Sequence, residues 1–447
     1  MPVFRVSPPI GRGSRRVTVG NPRSAQYLDL GRLSELGPRR HVVLDISAEH
    51  VLAIVGKRGS GKTHTLGVVA EGVARPRDSA ATIGAGPQDH AVLLLDTLNI
   101  FQWMHIPLDD AKGPVAEEQR QVLTSWGLKG MTICPTFWHV AGCEPTVADS
   151  RPFTLRPSDL GPQDWGLLLG ADILTEPMGQ LLVAAQEKVA VTGWRNGGGM
   201  VRPNPKFAIS DLIACIQRDS PLALEFAPET RRAVRQRLAA FDRSGVFSLQ
   251  GTRLPEMLKP GSLTILLLGR VPEDLRSLVA FLVIRRLLEE RSAASEAAKD
   301  ALIKGHTGET GIPKTWVMID EAQNIMPARA ASLANDVLTR FVREGRNFGL
   351  SMAISTQQPI AIDSRVMAQV DTLMAHTLTV RQDVAYVLAN LKSADPSSIV
   401  LASRKQTMAE ALRLLSVGQC LVSAVDSERT FFLAVRPRAT LHGGFEA

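Results

Sequence analysis

The sequence is poor in aromatic residues and in cysteine, and it lacks long hydrophobic runs. Phe, Trp and Tyr make up 5% of the 447 residues, so extensive stacking on single-stranded bases is not indicated. The four cysteines are scattered without a CxxC pair, which argues against a zinc ribbon or a disulfide framework. No apolar run approaches the ~18 residues of a membrane helix. We therefore expect a cytoplasmic, reduced protein with no membrane partner.

The first 45 residues are basic. No apolar segment follows the early arginines, so a secretory signal is not expected. Eight arginines against three acidic residues give this segment +5 of the chain's net charge of +7. Such an arm can bind phosphate backbones or acidic protein surfaces. The alternative is a solvated, partly disordered tail. Short apolar runs and many turn formers predict a small β element here.

Two parts of the chain alternate short apolar runs with helical patterns. The runs are rich in Val, Ile and Leu without polar alternation, as in strands buried on both faces of a parallel sheet. Helices are predicted between them at Thr63–Ala74, Asp274–Glu290 and Ala328–Phe348. The pattern predicts an α/β fold with a mainly parallel sheet.

The residues between these two parts look different. They begin rich in Pro and Gly and continue with helical patterns at Met178–Val191, Ile209–Arg218 and Pro228–Phe241, which predicts a mostly helical insertion. The chain from Leu414 predicts a final hairpin and an exit arm. The predicted organisation is a basic N-terminal β element or arm (1–45), the first part of the core (46–102), the insertion (103–258), the second part of the core (259–437) and a tail (438–447).

The stretch VLAIVGKRGSGKT contains the P-loop pattern, entered by an apolar strand and left by a helix. Its glycines let backbone N–H groups wrap phosphates, and the helix N-terminus adds its positive end. Lys62 is expected to reach the β- and γ-phosphates of ATP, and the Thr63 hydroxyl to bind Mg²⁺. The predicted nucleotide-binding residues are Gly56, Lys57, Arg58, Gly59, Ser60, Gly61, Lys62, Thr63 and His64.

The stretch KTWVMIDEAQ supplies an acidic pair after a second apolar strand. The first carboxylate, Asp320, is expected to hold Mg²⁺. The second, Glu321, can orient or deprotonate the attacking water. P-loop kinases and GTPases generally lack this adjacent glutamate, so the pair favours an ATP hydrolase.

Asp96 ends a third apolar strand, in AVLLLDTLN. If this strand neighbours the P-loop strand, Asp96 lies close to the nucleotide or to Mg²⁺. The alternative is an aspartate that only caps a turn.

Gln357 ends another predicted strand, LSMAISTQQ. Ligands of open parallel sheets bind at the C-terminal ends of the strands, so Gln357 is expected to sense the γ-phosphate. Arg340, Arg343 and Arg346 precede the same strand and therefore lie toward the opposite edge. Six residues at about 3.3 Å each put Arg346 on the order of 20 Å from its own phosphates.

The three arginines have two interpretations. A neighbouring subunit could present its phosphates to them, with Arg346 as the first candidate for the catalytic arginine and Arg343 as the second. Alternatively, they are cations that favour the C-terminus of a helix ended by Gly345 and Gly349. Three arginines exceed what a helix end needs, and the first interpretation is preferred.

Four stretches together resemble the HerA-like ATPases of the HerA–FtsK superfamily: GKRGSGKT, VMIDEAQNIMP, FVREGRNFGLSMAISTQQP and VDTLMAHTLTVRQD. The resemblance covers about residues 40–445, with the middle recognisable only as a helical segment. It implies a RecA-like P-loop core with an inserted helical bundle, and a homohexameric ring with ATP at subunit interfaces. It also implies double-stranded DNA in the centre of the ring and a trans-acting Arg346.

The resemblance further implies a nuclease or other effector partner, in DNA processing or antiviral defence. Two departures are visible. About 45 residues precede the ATPase strand, where the family usually has a full β-barrel, so partner docking is expected to differ. The strand ending at Asp96 typically continues into an aspartate–proline–glycine–glutamate-like run, whereas this chain reads DTLN.

The leading functional hypothesis is a ring ATPase that translocates on DNA, with salt-sensitive, sequence-independent phosphate contacts. Arg195 and Asn196 beside Gly197–Gly199 form a candidate pore loop, with an ordinary surface loop as the alternative. A different hypothesis is an ATP-gated ring scaffold that docks and activates an effector without productive translocation. A monomeric P-loop kinase would leave the arginine cluster unexplained.

Overall fold

The computed structural model describes residues 16–34, 40–75, 83–305, 311–326, 333–392, 399–401, 404–425 and 429–443. The β-strands of these residues are β1 (Arg16–Val19), β2 (Tyr27–Leu33), β3 (His41–Asp45), β4 (Val51–Val55), β5 (Gly84–Ala85), β6 (His90–Asp96), β7 (Thr136–Val140), β8 (Arg151–Phe153), β9 (Trp194–Asn196), β10 (Gly199–Val201), β11 (Leu263–Leu267), β12 (Lys314–Ile319), β13 (Leu350–Thr356), β14 (Thr372–Ala375), β15 (Ile399–Leu401), β16 (Arg404–Gln406), β17 (Gln419–Ala424) and β18 (Arg429–Val435). The α-helices are α1 (Lys62–Val73), α2 (Pro114–Ser125), α3 (Pro162–Leu169), α4 (Pro177–Glu187), α5 (Ile209–Arg218), α6 (Ser220–Glu225), α7 (Pro228–Arg243), α8 (Leu254–Met257), α9 (Glu273–Ile303), α10 (Leu333–Glu344), α11 (Ser364–Met367), α12 (Arg381–Ala389) and α13 (Met408–Leu414).

One large sheet runs through the molecule in the order β1-β3-β2-β18-β17-β14-β4-β13-β12-β6-β11-β7-β8, with β5 paired to β2. The eight strands from β14 to β8 are all parallel to their neighbours. The pairs from β14 through β17 and β18 to β2 and β3 are antiparallel. The α/β prediction with a mainly parallel sheet is therefore confirmed, and so is the final hairpin, β17–β18.

Successive residues of the P-loop strand β4 contribute to two different hydrophobic cores. Val51, Ala53 and Val55 pack into a core that includes α9, α10 and the helices of the insertion. Leu52 and Ile54 pack into a core that includes α1 and the N-terminal strands. Because side chains of a strand alternate between the two faces, both faces of the sheet are covered. This is why the strand is apolar at every position.

The segment 103–258 is not purely a helical insertion. Its helices α4, α5 and α7 pack on one another, but β7 and β8 extend the main sheet beyond β11. Phe137 and Trp138 on β7 are almost completely buried there. Helical periodicity could not reveal this pairing, because β7 is a short strand in a Pro-rich stretch and its partner lies more than 100 residues further along the chain.

The predicted exit arm is wrong for the residues described after β18, because they pack against α1 instead of leaving the domain. Arg436 forms an ion pair with the carboxylate of Glu71 in the last turn of α1, and both side chains are fully buried. The same carboxylate accepts bonds from the backbone N–H groups of Ala439 (2.9 Å) and Thr440 (3.0 Å). A buried, fully bonded charge of this kind fixes the segment in place.

Two helix boundaries differ from the predictions. Helix α9 extends 13 residues beyond Glu290 through an alanine-rich stretch that favours helix. The predicted helix at Ala328–Phe348 can be compared only from Leu333 onward, because residues 327–332 lie outside the described residues. There the α-helix ends at Glu344, and Gly345–Phe348 form a 3-10 turn. In the described part of the chain, no helix combines the length and apolar character needed to cross a membrane.

Candidate nucleotide site

The P-loop connects the end of β4 to the start of α1 at the C-terminal edge of the parallel strands. Gly61, with φ of 108°, turns the chain into the helix in a left-handed conformation that glycine adopts readily. The Lys62 ammonium and the Ser60 hydroxyl donate to the Lys57 carbonyl at 3.0 and 2.8 Å. The first intrahelical backbone bond is Thr65 N–H to Gly61 O. The backbone N–H groups of Lys62, Thr63 and His64 have no acceptor among the described residues and are therefore available to an anion.

His376 packs directly against Gly56 of the P-loop, and it was not predicted from the sequence. A Cβ added to Gly56 would lie 2.7 Å from the Cβ of His376, so that position has no room for a side chain. The imidazole bonds to the Thr65 hydroxyl through Nε2 and to the Gln419 carbonyl through Nδ1, both at 2.9 Å. Burial lowers its pKa to about 3, so the ring is neutral. It lies in the quoted stretch VDTLMAHTLTV, but nothing local assigns it this role.

His64 contributes its backbone rather than its imidazole to the predicted nucleotide site. The ring bonds to the Arg436 carbonyl at 3.1 Å and packs edge-to-face on His442, with ring centres 5.1 Å apart. Burial, followed by the charge of Arg438, lowers the pKa of His64 to about 4. The imidazole points away from the predicted nucleotide site, because the segment after β18 packs against that face of α1. Arg58 and Gly59, in contrast, lie exposed on the loop.

Asp320 lies at the end of β12, two strands from β4, and its side chain is fully buried. One carboxylate oxygen accepts from the Ser355 hydroxyl and from the Thr63 hydroxyl, the latter at 3.3 Å. The other oxygen has no hydrogen-bond partner among the described residues. Burial, and then the neighbouring Glu321 charge, raises the pKa of Asp320 to about 6, against the opposing effect of Lys62.

These two residues fit a magnesium ion. A threonine hydroxyl and a carboxylate, both hard oxygen donors, lie within 3.3 Å of each other, and one buried carboxylate oxygen has no partner. Mg²⁺ prefers such ligands and takes few of them from the protein. Thr63 and Asp320 are therefore the residues that would hold it.

Glu321 is held on a strained backbone by two glutamines. Its φ of 49° is rare for a residue other than glycine, and such strain is typical of functional sites. Gln357 donates to one carboxylate oxygen at 2.6 Å, and Gln323 donates to the other at 2.7 Å. The Thr356 hydroxyl in turn donates to the Gln323 side-chain carbonyl at 2.7 Å. Both oxygens of the predicted base are thus oriented before any nucleotide is considered.

The sequence predicted one of these two glutamines as a site residue and not the other. Gln357 was expected to sense the γ-phosphate, whereas its amide contacts Glu321. Gln323 was missed, although it stands two residues after Glu321 in the DEAQ stretch. Lys62 completes the cluster: burial lowers the pKa of its ammonium, and the charges of Glu321 and Asp320 oppose that shift.

Asp96 is not beside the P-loop strand, because β13 and β12 lie between β4 and β6. Its carboxylate accepts backbone N–H bonds from Ile100 at 3.1 Å and from Phe101 at 2.8 Å. Burial, and then the charge of Asp320, raises the pKa of Asp96 to about 7. The turn-capping alternative describes these contacts. Strand β6 does not neighbour the P-loop strand, but it pairs with β12, the strand that leads into Asp320.

Arg346 lies at the opposite, N-terminal edge of the parallel strands. Its guanidinium contacts the Asp371 carboxylate at 3.1 Å and the Gln369 carbonyl at 3.0 Å. The same Asp371 carboxylate accepts from the backbone N–H of Val51, the first residue of β4, at 2.7 Å. Arg346 is 40% exposed and lines a cavity of about 360 Å³ together with His50 and Asp371.

Within the described part of the chain, the ion pairs of the other two arginines are local. Arg340 and Arg343 both pair with Glu344, at 2.8 and 3.0 Å, on the exposed surface of α10. Such contacts between neighbouring residues of a helix are the pattern expected of a solvated helix end. Arg346 is thus distinguished from them by its contact with another element of the fold.

Residues 28–287, more than half of the chain, match the family described as "Helicase HerA, central domain". The chain is also similar to the DNA double-strand break repair helicase HerA of Saccharolobus solfataricus, with 25% identity over 179 residues. That similarity covers 40% of this chain and 32% of the relative, so the chain spans about a third of the relative's length. Among solved structures, VirB4 of Thermoanaerobacter pseudethanolicus shares the fold, with a TM-score of 0.52 and 11% identity, over 92% of this chain and 97% of that one.

The P-loop, the acidic pair that follows β12 and the family match agree with one another. The loop has a buried lysine beside backbone N–H groups that lack acceptors among the described residues, and two glutamines orient the carboxylate of Glu321. This chain belongs to the family of the HerA helicase central domain and is a P-loop ATPase.

Proposed function

We propose that this chain is an ATP-driven motor that assembles into a homohexameric ring and moves along double-stranded DNA. ATP and Mg²⁺ would bind between the P-loop of one subunit and Arg346 of its neighbour. The family match and the similarity to a HerA helicase support DNA as the polymer on which the motor acts.

The observation that carries this proposal is the position of Arg346. It lies beside Val51, at the start of β4, whereas phosphates bind after the last residue, Val55. Five residues at about 3.3 Å each span about 16 Å, too far for Arg346 to serve its own P-loop. A half-exposed arginine at this edge can instead neutralise transition-state charge on the ATP of another subunit.

The residues of one subunit would divide the chemistry among them. Lys62 contacts the phosphates at the helix N-terminus. Glu321, held by Gln357 and Gln323, orients the attacking water and accepts its proton. Mg²⁺, held by Thr63 and Asp320, supplies charge neutralisation at the phosphates when bound.

The test is steady-state ATP hydrolysis by the purified chain, with and without linear duplex DNA, at two salt concentrations. We expect stimulation by duplex DNA that fades as salt rises, because phosphate contacts release counterions. Single-stranded DNA of equal length is the matched control for the substrate, and the Glu321→Gln chain controls for contaminating ATPases. A rate that is indifferent to DNA would contradict the motor and favour an ATP-gated scaffold for an effector.

The proposal extends to a nuclease or other effector partner acting in DNA processing or antiviral defence, as the sequence resemblance implies. Its support is the resemblance alone. Inactivity of a candidate nuclease until the ATPase ring forms would bear it out, and equal nuclease activity with and without the ring would contradict it.

A further inference from the structure

A short β-hairpin projects from the helical insertion. It comprises β9, β10 and their flanks, residues 193–202, and we call it the glycine hairpin. Arg195 is paired directly opposite Met200, and Trp194 is paired opposite Val201. Trp194 is buried, whereas Arg195 and Met200 are exposed. Because strand side chains alternate, exposed Arg202 shares the outer face with Arg195 and Met200.

The tip of the hairpin consists of glycines that the fold does not require. Gly197 and Gly198 form the two-residue loop, and Gly199 begins β10. Two-residue hairpin loops usually need glycine because φ is positive, but none of these three glycines has a positive φ. A Cβ added to any of them would meet no atom within 4 Å. What the glycines provide is a tip without side chains, which another molecule's backbone can approach closely.

The base of the hairpin is fixed by buried bonds. The fully buried carboxylate of Asp219 accepts from the backbone N–H of Arg195 at 2.8 Å and from that of Leu222 at 3.2 Å. It also pairs with the Lys188 ammonium at 3.0 Å. The open tip therefore stands on a rigid support, which is what a contact element that transmits force needs.

The charge of this segment is of one sign. No acidic residue occurs between Lys188 and Lys206. Arg195, Arg202 and Lys206 are exposed, and none of them forms an ion pair with a carboxylate in the described part of the chain. By contrast, Arg340 and Arg343 on α10 are both paired with Glu344. The hairpin thus presents unpaired cations beside a tip free of side chains.

We propose that the glycine hairpin grips the phosphate backbone of double-stranded DNA. Arg195 and Arg202 contact phosphates from one face, and Gly197–Gly199 let the sugar-phosphate backbone approach the tip. This inference rests on the proposed function, and it names the element that couples the motor to DNA. Exposed guanidinium groups beside a narrow tip, in a segment without acidic side chains, fit the anionic phosphate backbone.

The first experiment compares duplex binding by the full chain and by Arg195→Ala/Arg202→Ala. A fluorescent duplex of random sequence is titrated in the presence of a non-hydrolysable ATP analogue at several salt concentrations. Loss of two phosphate contacts should reduce the slope of log K against log salt by at least about 1.8, at about 0.9 per contact. ATP hydrolysis without DNA should be unchanged, because neither arginine bonds to a nucleotide-site residue in the described part of the chain.

The matched control is Arg232→Ala/Arg243→Ala. Both residues are exposed on α7 of the same insertion, so the variant removes the same charge from another surface. An equal loss of DNA binding by both double variants would overturn the proposal, because the effect would then be general electrostatic attraction.

A second variant tests the tip without changing charge. Gly198→Leu should leave the thermal unfolding midpoint unchanged, since the added side chain meets open space. It should weaken duplex binding severalfold. Full duplex binding by this variant and by Arg195→Ala/Arg202→Ala would overturn the proposal.

Failure of this inference differs from failure of the proposed function. If the unmodified chain is stimulated by duplex DNA and the hairpin variants are equally stimulated, the motor stands and the hairpin assignment is wrong. If the unmodified chain neither binds duplex DNA nor responds to it, both are wrong. If the hairpin variants bind duplex DNA normally but lose affinity for poly-glutamate, the hairpin binds acidic protein instead.

Discussion

The two edges of the parallel sheet are built in opposite ways. At the C-terminal edge, Lys62, Asp320 and Glu321 are almost completely buried. Lys62 and Asp320 bond to the P-loop, and Glu321 accepts bonds from two glutamines. At the N-terminal edge, Arg346 is half-exposed beside an open cavity, with Asp371 joining it to the first residue of β4. The first edge is arranged to enclose a nucleotide, and the second to present a cation outward.

The largest expected effect comes from removing the outward cation. Arg346→Ala should lower ATP turnover about 10³-fold, in line with trans-acting arginines, while its own ATP binding is retained. Turnover is measured by steady-state phosphate release, and ATP binding by fluorescence of a labelled analogue. Arg343→Ala is the matched control, and we expect a small effect because Arg343, among the described residues, forms its ion pair with the neighbouring Glu344.

Mixing experiments sharpen this test. Subunits with Arg346→Ala and subunits with Glu321→Gln, each inactive alone, should recover activity when mixed. Recovery arises at interfaces that pair an intact Glu321 with an intact Arg346. No recovery at any mixing ratio would contradict the contrast between the edges, since it would mean that Arg346 serves its own site.

The next effect lies at the enclosed edge. Glu321→Gln should lower turnover about 10²-fold or more while ATP still binds, because an amide cannot accept the proton of water. Gln323→Ala frees one oxygen of Glu321 and should cost less, about tenfold, with ATP binding unchanged. Single-turnover hydrolysis measures both. A Gln323→Ala chain with full activity would show that the bond between Gln323 and Glu321 does not orient the base.

The smallest expected effect is on the pH dependence of stability. As pH falls, a histidine at the enclosed edge should lower stability and a histidine at the open edge should raise it. His376 at the enclosed edge has a pKa lowered to about 3, so the unfolded chain, with an ordinary pKa near 6.5, binds its proton first as pH falls. Stability is therefore lost below pH 6.5. At the open edge, burial alone would lower the pKa of His50, but the Asp371 carboxylate raises it. Its contribution is present below pH 6.5 and is lost as pH rises through the raised pKa.

Thermal unfolding at pH 7.5 and pH 5.5 checks these signs. Between these values His376 should cost about 1.4 kcal/mol of stability, so His376→Gln should lose less stability on acidification than the unmodified chain. His50→Gln should lose more. Identical pH dependence of the two variants would refute the contrast between the edges. Each substitution also changes stability by an amount that does not depend on pH. Comparing how the unfolding midpoint of each variant changes between the two pH values removes that amount.

The parts of the site that follow from short local patterns were predictable. The P-loop and the Asp320–Glu321 pair are each written in a few consecutive residues, and an apolar strand before each places it at the C-terminal edge. The same reasoning put Arg346 at the opposite edge, where the structure has it. The apolar runs also predicted the parallel sheet.

The parts that depend on long-range pairing were not predictable. Asp96 was a candidate for the site because strand order is not written along the chain, and two strands separate β6 from β4. His376 packs against Gly56 and bonds to Thr65, which lies 311 positions earlier in the chain. The imidazole direction of His64 depends on the segment after β18, which local patterns read as an exit arm.

The ion pair between Glu71 and Arg436 has a consequence for how the protein is made. Glu71 sits in the helix that carries the P-loop, but the backbone N–H of Ala439 that bonds to it comes 368 residues later. During translation, a nascent chain would hold this carboxylate without its partners until Thr440 had been synthesised, and a buried unpaired charge is strongly unfavourable. Completion of the nucleotide-binding helix is thus tied to residues synthesised long after it. A truncated translation product that stops before Arg436 should therefore fail to form a stable P-loop.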